Sequence, residues 1–303
     1  MALAYWENIL IFALIAITLA SALNIPMGLG GMYVAGMGAL YGVGAYTTAL
    51  VAGHVSSSLF VTAIAAIILA AAAGAIFIIP AVRARYEYFM VASLGLQYVA
   101  STVFVNSAFV GGTNGLTGFP APTVFGATLS TPNDFLIFAA IAAIISVGTV
   151  ALLRSSPVGR RMRAVRDDER AAESLAVSPL SARSLSLIIG GALAGLAGCV
   201  YAYYVGFINP DSFDFQQSVL VFTMVILGGA GTVWGPVVGA VIISALPPAL
   251  TFLNFVPPAD QASLGQIIYG VLLVAMVIFR PEGLISDTSR FGRKNPGRQE
   301  QLK

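Results

Sequence analysis

Charged residues are scarce in this sequence. Asp, Glu, Lys and Arg make up 9% of the 303 residues, whereas hydrophobic residues make up 58%. Soluble domains contain roughly 25% charged and roughly 45–50% apolar residues, so this composition nearly excludes a soluble globular enzyme. A transmembrane helix needs about 20 apolar residues, and the apolar content suffices for about nine such helices. The composition therefore predicts a polytopic membrane protein.

Cysteine and lysine are almost absent. Cys199 is the only cysteine, which excludes an intrachain disulfide. The only lysines, Lys294 and Lys303, lie in the polar tail. A phosphate-binding P-loop needs a lysine after its glycines, so the chain has no P-loop with which to hydrolyse ATP.

Motifs of catalytic or metal-binding sites are missing as well. The sequence contains no His-Glu-x-x-His and no Gly-x-Ser-x-Gly, and its one histidine, His54, has no second His or Cys nearby. We therefore expect no catalytic residue, no metal and no cofactor, and we predict that the protein is not an enzyme. The net charge of +2 is too small to indicate a nucleic-acid partner.

The apolar stretches carry no charge in their interiors. Every charged residue falls in a loop or at the end of a stretch, as Glu7, Glu87 and Asp134 do. Ion-coupled carriers commonly bury a charged group within the bilayer as the coupling device. If the chain takes part in transport, its energy source is therefore expected in another subunit. A sodium site made of backbone carbonyls needs no charged side chain within the bilayer. The alternative is therefore a self-sufficient secondary carrier of small solutes.

The predicted fold is an all-α polytopic membrane protein with about nine spans, within a range of eight to ten. The spans are 8–23, 27–52, 58–79, 88–107, 133–153, 184–205, 217–231, 234–252 and 264–279. The seventh and eighth meet at the glycine-rich sequence GGAGT at 228–232, which predicts a helical hairpin or broken helices. Glycine-rich stretches at 28–44 and 228–239 lie in opposite halves of the chain and suggest an inverted repeat.

The fifteen basic residues predict the orientation. Seven lie at 154–183, six at 280–303, and Arg83 and Arg85 lie between the third and fourth spans. Because cytoplasmic loops are rich in Lys and Arg, these segments should be cytoplasmic, with 108–131, 206–216 and 253–263 outside. We expect one transmembrane domain over 1–290, with a cytoplasmic coupling loop at 154–183, and a polar cytoplasmic tail at 291–303. Glu7 precedes the first apolar run without a basic residue, so we expect no cleaved signal peptide.

The cytoplasmic loop contains a predicted amphipathic helix over 160–176. Its apolar residues are spaced for one helical face and comprise Met162, Val165, Ala172 and Leu175. Ser178 and Pro179 are expected to stop the helix. A short charged helix of this kind is suited to docking in a partner's groove, and it is equally compatible with a solvated loop that only sets the topology.

Five segments along the chain are distinctive: GGTNGLTGFP at 111–120, RAVRDDERAAESLAV at 163–177, GGALAGLAGCVYA at 190–202, GGAGTVWGP at 228–236 and FRPEGL at 279–284. Together they resemble segments of LivM-type permeases, the membrane subunits of branched-chain amino-acid ABC importers. The resemblance covers about 25–285, and the joint order of these segments is highly specific. Ala176 stands where the family often has Gly, and Asn114 where it often has Asp.

The resemblance implies an importer in the bacterial inner membrane, in contact with membrane lipid. Its other parts are a second, LivH-type permease subunit, two ATPase subunits and a periplasmic solute-binding protein. Branched-chain amino acids are the implied solutes, and similar permeases import urea, amides or aromatic acids.

Three sets of residues are candidates for the site. The ATPase-coupling helix implied by the resemblance comprises Arg163, Arg166, Asp167, Glu169, Ala172 and Glu173. The external loop implied by it comprises Gly111, Gly112, Thr113, Asn114 and Gly115. The predicted translocation path comprises Gly228, Gly229, Gly231 and Thr232, because unwound backbone there is expected to face a polar cavity.

Overall fold

Twelve α-helices occur within the described part of the chain. The computed structural model describes residues 2–83, 86–124, 127–252, 261–280 and 283–285. The helices are α1 (Ala2–Asn24), α2 (Met37–His54), α3 (Leu59–Ile76), α4 (Ile78–Arg83), α5 (Tyr86–Asn106), α6 (Pro132–Ser155), α7 (Pro157–Asp167), α8 (Glu169–Ser174), α9 (Pro179–Val205), α10 (Phe215–Gly228), α11 (Gly235–Phe252) and α12 (Gln261–Phe279). The predicted tail at 291–303 lies outside the described residues.

The predicted all-α membrane fold is confirmed, and each of the nine predicted spans overlaps a helix. Five helical segments are long and apolar enough to cross a membrane: Tyr5–Leu29, Leu59–Ala81, Tyr88–Asn106, Pro132–Ser155 and Pro179–Val205. The predicted start of the second span at residue 27 is wrong, because α2 begins only at Met37. A π-helical turn, Ile25–Leu29, and an irregular stretch at 30–36 precede it.

Helices α1 and α9 form the interior of the bundle, and α3, α5 and α6 form its periphery. About 72% of the apolar window of α9 is buried, against 28% for α3 and α6 and 22% for α5. Helix α9 packs against α1, α2, α3 and α6. The peripheral helices expose large apolar side chains such as Ile68, Val99 and Ile144. Such contiguous apolar surface is unfavourable in water and is stable against lipid.

Helix α2 begins inside the protein, where other helices supply its missing hydrogen-bond partners. The first amides of a helix lack intrahelical acceptors, and the bilayer provides no water to replace them. The Gly38 amide donates to Ser218 Oγ at 2.8 Å, and the Ala39 amide donates to Gln97 Oε1 at 2.6 Å. Gln97 Nε2 in turn donates to the Phe213 carbonyl at 2.7 Å. Side chains of α5 and α10 therefore cap a broken helix at this position.

Short strands tie the outer loops together. Strand β1 (Leu116–Thr117) pairs antiparallel with β4 (Phe207–Ile208), with Leu116 opposite Ile208. Strand β2 (Thr123–Val124) pairs antiparallel with β3 (Ala127–Thr128). The β1–β4 pair holds the loop after α5 against the loop after α9.

Candidate functional site

The coupling loop forms two helices instead of the single helix predicted over 160–176. Helix α7 ends at Asp167, and Asp168 adopts an extended conformation (φ −157°, ψ 109°) between α7 and α8. Its carboxylate accepts a hydrogen bond from the Ala171 amide at 3.0 Å and so caps α8. An Asp that bonds to its own neighbouring backbone competes with helix continuation, which explains the break.

The end of the loop also differs from the prediction. Helix α8 ends at Ser174, and Ser178 with Pro179 begins the next helix instead of stopping this one. Ser178 Oγ accepts from the Ser181 amide as the N-cap of α9. Proline at the first position of a helix is favoured because its missing N–H has no intrahelical role there.

Three of the four residues on the predicted apolar face are buried. Met162, Val165 and Ala172 pack with Leu29 and Ala182 in a small apolar cluster beneath the membrane helices. Leu175, the fourth, is 76% exposed and lies just beyond the end of α8 at Ser174. The loop is thus anchored to the bundle and does not lie free in solvent.

Two charged side chains of the predicted coupling helix point into the protein. The side chain of Arg166 is 8% exposed, and its Nη1 donates to the Gly28 carbonyl at 2.5 Å. Glu169 Oε2 accepts from Arg183 Nη2 at 2.8 Å. Arg183 lies on α9 and also donates to the Ala81 carbonyl at 3.2 Å, so α7 is tied to the turn at Gly28 and α8 is tied to α9.

The remaining charged residues of the predicted helix lie closer to solvent. Asp167 and Glu173 are exposed, and the neighbouring Arg170 is exposed too. Arg163 is half-buried, and its Nη2 donates to the Arg154 carbonyl at 2.9 Å. We define the docking surface as Asp167, Arg170, Glu173 and Leu175.

The predicted translocation-path residues lie in the turn between α10 and α11. Gly228 ends α10, and Gly231 and Gly229 have positive φ angles of 87° and 113°, which favour glycine. Thr232 Oγ1 donates to the Gly229 carbonyl and accepts from the Gly235 amide, both at 2.9 Å. The turn therefore closes a short hairpin, as the sequence predicted for this segment.

This turn meets the turn between α1 and α2 through Asn24. Asn24 is fully buried, and its Nδ2 donates to the Thr232 carbonyl at 2.8 Å. Its Oδ1 accepts from the Gly231 amide, also at 2.8 Å. The backbones of Gly28 and Gly231 come so close that a Cβ atom on Gly28 would overlap Gly231. We call this contact between 24–31 and 228–232 the crossing.

Two adjoining cavities lie elsewhere, among α1, α10, α11 and α12. Their volumes are about 590 and 610 Å³, and both are lined by Ser212, Gln217, Leu220, Pro247 and Tyr269. The larger one also reaches Asn8, Leu19, Met224 and Ser244. Neither is lined by the four predicted path residues, which are packed against protein instead.

The external glycine-rich loop is an ordered turn. Gly111, Gly112 and Gly115 have φ angles of 82°, 56° and 72°. A Cβ atom on Gly115 would overlap the Ile208 carbonyl, so only glycine fits beside β4. Thr113 and Asn114 lie between these glycines and are exposed, so the five predicted residues form one surface turn docked on the β1–β4 pair.

Comparison with known proteins identifies the family. Residues 5–277 match the model of the branched-chain amino acid transport system permease component. The chain belongs to this permease family. It is 30% identical to the high-affinity branched-chain amino acid transport system permease protein LivM of Escherichia coli K12, over 93% of this chain and 70% of the relative.

Other relatives of the permease are more distant. A probable branched-chain amino acid transport permease LivM of Methanocaldococcus jannaschii is 24% identical over 88% of this chain and 79% of its own length. LivH of E. coli K12, a permease protein of the same kind of system, is 25% identical over 53% of this chain and 49% of its own length. No solved structure matches the chain.

Sequence reasoning located the loop at 154–183 and the glycine turn at 228–232 of this permease. It missed the break before Met37, the Asn24 side chain that binds the glycine turn, and the Gln97 side chain that caps α2. Gln97 lies within a predicted apolar stretch, and Asn24 directly follows one. A polar residue in such a position was the signal in the sequence that could have pointed to a structural role. The inward direction of Arg166 had no signal in the sequence, because the helical pattern placed it among the solvent-facing charges.

Proposed function

We propose that this permease is one of two membrane-spanning subunits of an ABC importer for branched-chain or related amino acids in the bacterial inner membrane. A LivH-type subunit, two ATPase subunits and a periplasmic solute-binding protein complete the assembly. In this role the chain is a passive conduit whose motion is imposed by ATP hydrolysis in its partners. The resemblance of the chain to LivM proteins over most of its length supports this assignment.

One structural observation carries the mechanism. The docking surface is exposed, whereas the same two short helices are held to the bundle by the buried side chain of Met162 and by hydrogen bonds of Arg166 and Glu169. A partner that moves the docking surface therefore moves α7 and α8 as one body against α1 and α9. Two-state movement of packed helices is the form that such coupling takes.

The proposed solute route starts in the two cavities. A cavity that combines the polar side chains of Asn8, Gln217 and Ser244 with apolar Leu19 and Met224 suits an amino acid with an apolar side chain. Within this proposal, Gly228, Gly229, Gly231 and Thr232 form the inner end of the route. The glycine-rich turn at 111–115 faces the solute-binding protein.

The domain organisation follows from the same proposal. One transmembrane unit extends over 1–290, with 154–183 in the cytoplasm and the tail at 291–303 on the same side. The exposed apolar surfaces of α3, α5 and α6 then contact lipid or the second permease subunit.

Uptake by the reconstituted assembly tests the proposal. The chain, its LivH-type partner and the ATPases are placed in liposomes with ATP and binding protein, and leucine uptake is measured. Replacing Arg170 and Glu173 together with Ala should lower uptake on the order of tenfold or more, because the coupling between the ATPases and the membrane helices is lost; Asp167 is kept because its carboxylate pairs with Arg166 at 3.0 Å.

The control is Arg160→Ala. Arg160 is an exposed residue of α7 that bonds only to the nearby Ser155 carbonyl among the contacts described, and its replacement should leave uptake unchanged. Leucine accumulation by the chain alone under an ion gradient would overturn the proposal in favour of a secondary carrier. So would undiminished uptake in the double variant.

A further inference from the structure

Arg166 joins the cytoplasmic loop to the place where the two halves of the membrane domain touch. Its Nη1 bonds to the Gly28 carbonyl at 2.5 Å, and the same atom lies 3.1 Å from where a Cβ atom of Gly231 would stand. Its Cγ lies 2.5 Å from where a Cβ atom of Gly31 would stand. The side chain therefore fits against three glycines that belong to both turns.

The crossing leaves no passage for a solute. The Asn24 side chain forms hydrogen bonds with the Thr232 carbonyl and the Gly231 amide of the turn at 228–232. The Gly28 and Gly231 backbones are in direct contact. The crossing also receives residues that follow α12, because the Leu284 and Ile285 amides donate to the Leu227 and Gly228 carbonyls at 2.9 Å. Buried backbone groups at this depth are thus paired.

Open space lies on the side of the crossing that faces away from Arg166 and the coupling loop. The larger cavity reaches Leu19 on α1 and Met224 on α10. Asn24 follows Leu19 by five residues, which is about 7.5 Å along a helix, and Gly228 follows Met224 by four. On the orientation predicted from the basic residues, the cavity faces outward and the crossing closes its cytoplasmic end.

We infer that the crossing is a cytoplasmic gate and that Arg166 is the positioning residue that holds it shut. The inference rests on the proposed function, in which a partner moves α7. Displacement of α7 withdraws the guanidinium from the Gly28 carbonyl and allows the two turns to separate. A charge-assisted hydrogen bond is stronger than a neutral one, so its loss shifts the equilibrium toward the open gate.

The first test measures access to the gate without reference to ATP. Cys199→Ser removes the only cysteine, and Thr232→Cys then places a thiol at the crossing, where Thr232 is 4% exposed. Reaction with a membrane-impermeant maleimide added from the cytoplasmic side is timed in sealed vesicles. Arg166→Ala should speed the reaction on the order of tenfold, Arg166→Lys should restore much of the protection, and Arg160→Ala should have no effect.

The second test measures coupling in the reconstituted assembly. With Arg166→Ala we expect ATP hydrolysis to continue while leucine transported per ATP falls on the order of tenfold. Equal maleimide rates in Arg166→Ala and Arg160→Ala would overturn the gate. If the proposed function fails, uptake is absent in every variant, whereas the maleimide rates still report on the gate. If Arg166→Ala does not accumulate, Arg166→Gln, which removes the charge and shortens the side chain, is measured instead: a maleimide rate above that of Arg160→Ala supports the gate, and an equal rate overturns it.

Discussion

Ala176 is a residue with a strained backbone conformation in the loop that contains α7 and α8. It is the non-glycine residue with a positive φ among those described, at 59°, and it follows the C-terminus of α8. The Ala176 and Val177 amides donate to the Glu173 and Ala172 carbonyls at 2.9 and 3.0 Å, which closes the helix end. Left-handed residues at this position are usually glycine, because a Cβ atom costs about 1–2 kcal/mol there.

Ala176→Gly should therefore stabilise α8 by about 1 kcal/mol. Hydrogen exchange of the amides between 169 and 177 in the assembled permease measures the change, which corresponds to about fivefold slower exchange. The matched control is Ala171→Gly, on the exposed side of α8, which should destabilise this helix by about 0.5–1 kcal/mol. Unchanged or faster exchange in Ala176→Gly would show that the left-handed conformation of Ala176 is not costly here.

At the level of elements, glycine spacing sets how closely helices approach. Gly191 and Gly195 of α9 face α3, and Cβ atoms there would lie 2.6 Å from the Ala70 carbonyl and 2.5 Å from the Ala66 carbonyl. On the other side, Gly44 of α2 lies against Gly195 itself. Small residues four apart permit this backbone contact between membrane helices. The buried position of α9 depends on it.

Gly195→Ala should destabilise the permease by about 1–3 kcal/mol, since the added methyl group overpacks the backbone contact between α9 and α3. The thermal unfolding midpoint in detergent measures the effect. Gly95→Ala on α5 is the control, because a Cβ atom at Gly95 meets nothing within 4 Å. Equal midpoints for the two variants would contradict the close-packing role of Gly195.

For the whole molecule, the distribution of basic residues predicts one orientation in the membrane. The basic loop carries α7 and α8 at one end of the bundle, and the paired strands β1 and β4 lie in the loops expected at the other. Cytoplasmic segments are enriched in Lys and Arg, so we expect the loop end to be cytoplasmic.

Labelling of single cysteines tests this orientation. In a Cys199→Ser background, an impermeant maleimide should modify Ser174→Cys only from the cytoplasmic side and Ser130→Cys only from the periplasmic side. Both serines are exposed, so burial does not hide either thiol. Labelling of both positions from the same side would contradict the single predicted crossing between residues 130 and 174.

Much of the fold followed from local patterns. The helical class, the positions of the spans and the charged loop depend on how each residue partitions between water and lipid, which hydropathy and charge describe directly. The loop at 154–183 and the glycine turn at 228–232 were found in this way. Errors fell where local hydrogen bonds competed with the helix, as at Asp168, or where a break was capped from a distance, as before Met37.

The sequence by itself determined that the protein is a membrane protein, that it is helical, and to which family its motifs belong. Only the tertiary structure decided that Asn24 binds a turn 207 residues away and that Arg166 reaches Gly28 across 138 residues. Hydropathy acts on each residue separately, so it appears in any window of the sequence. Contacts between distant turns depend on how whole helices pack, and no local pattern of residues specifies them.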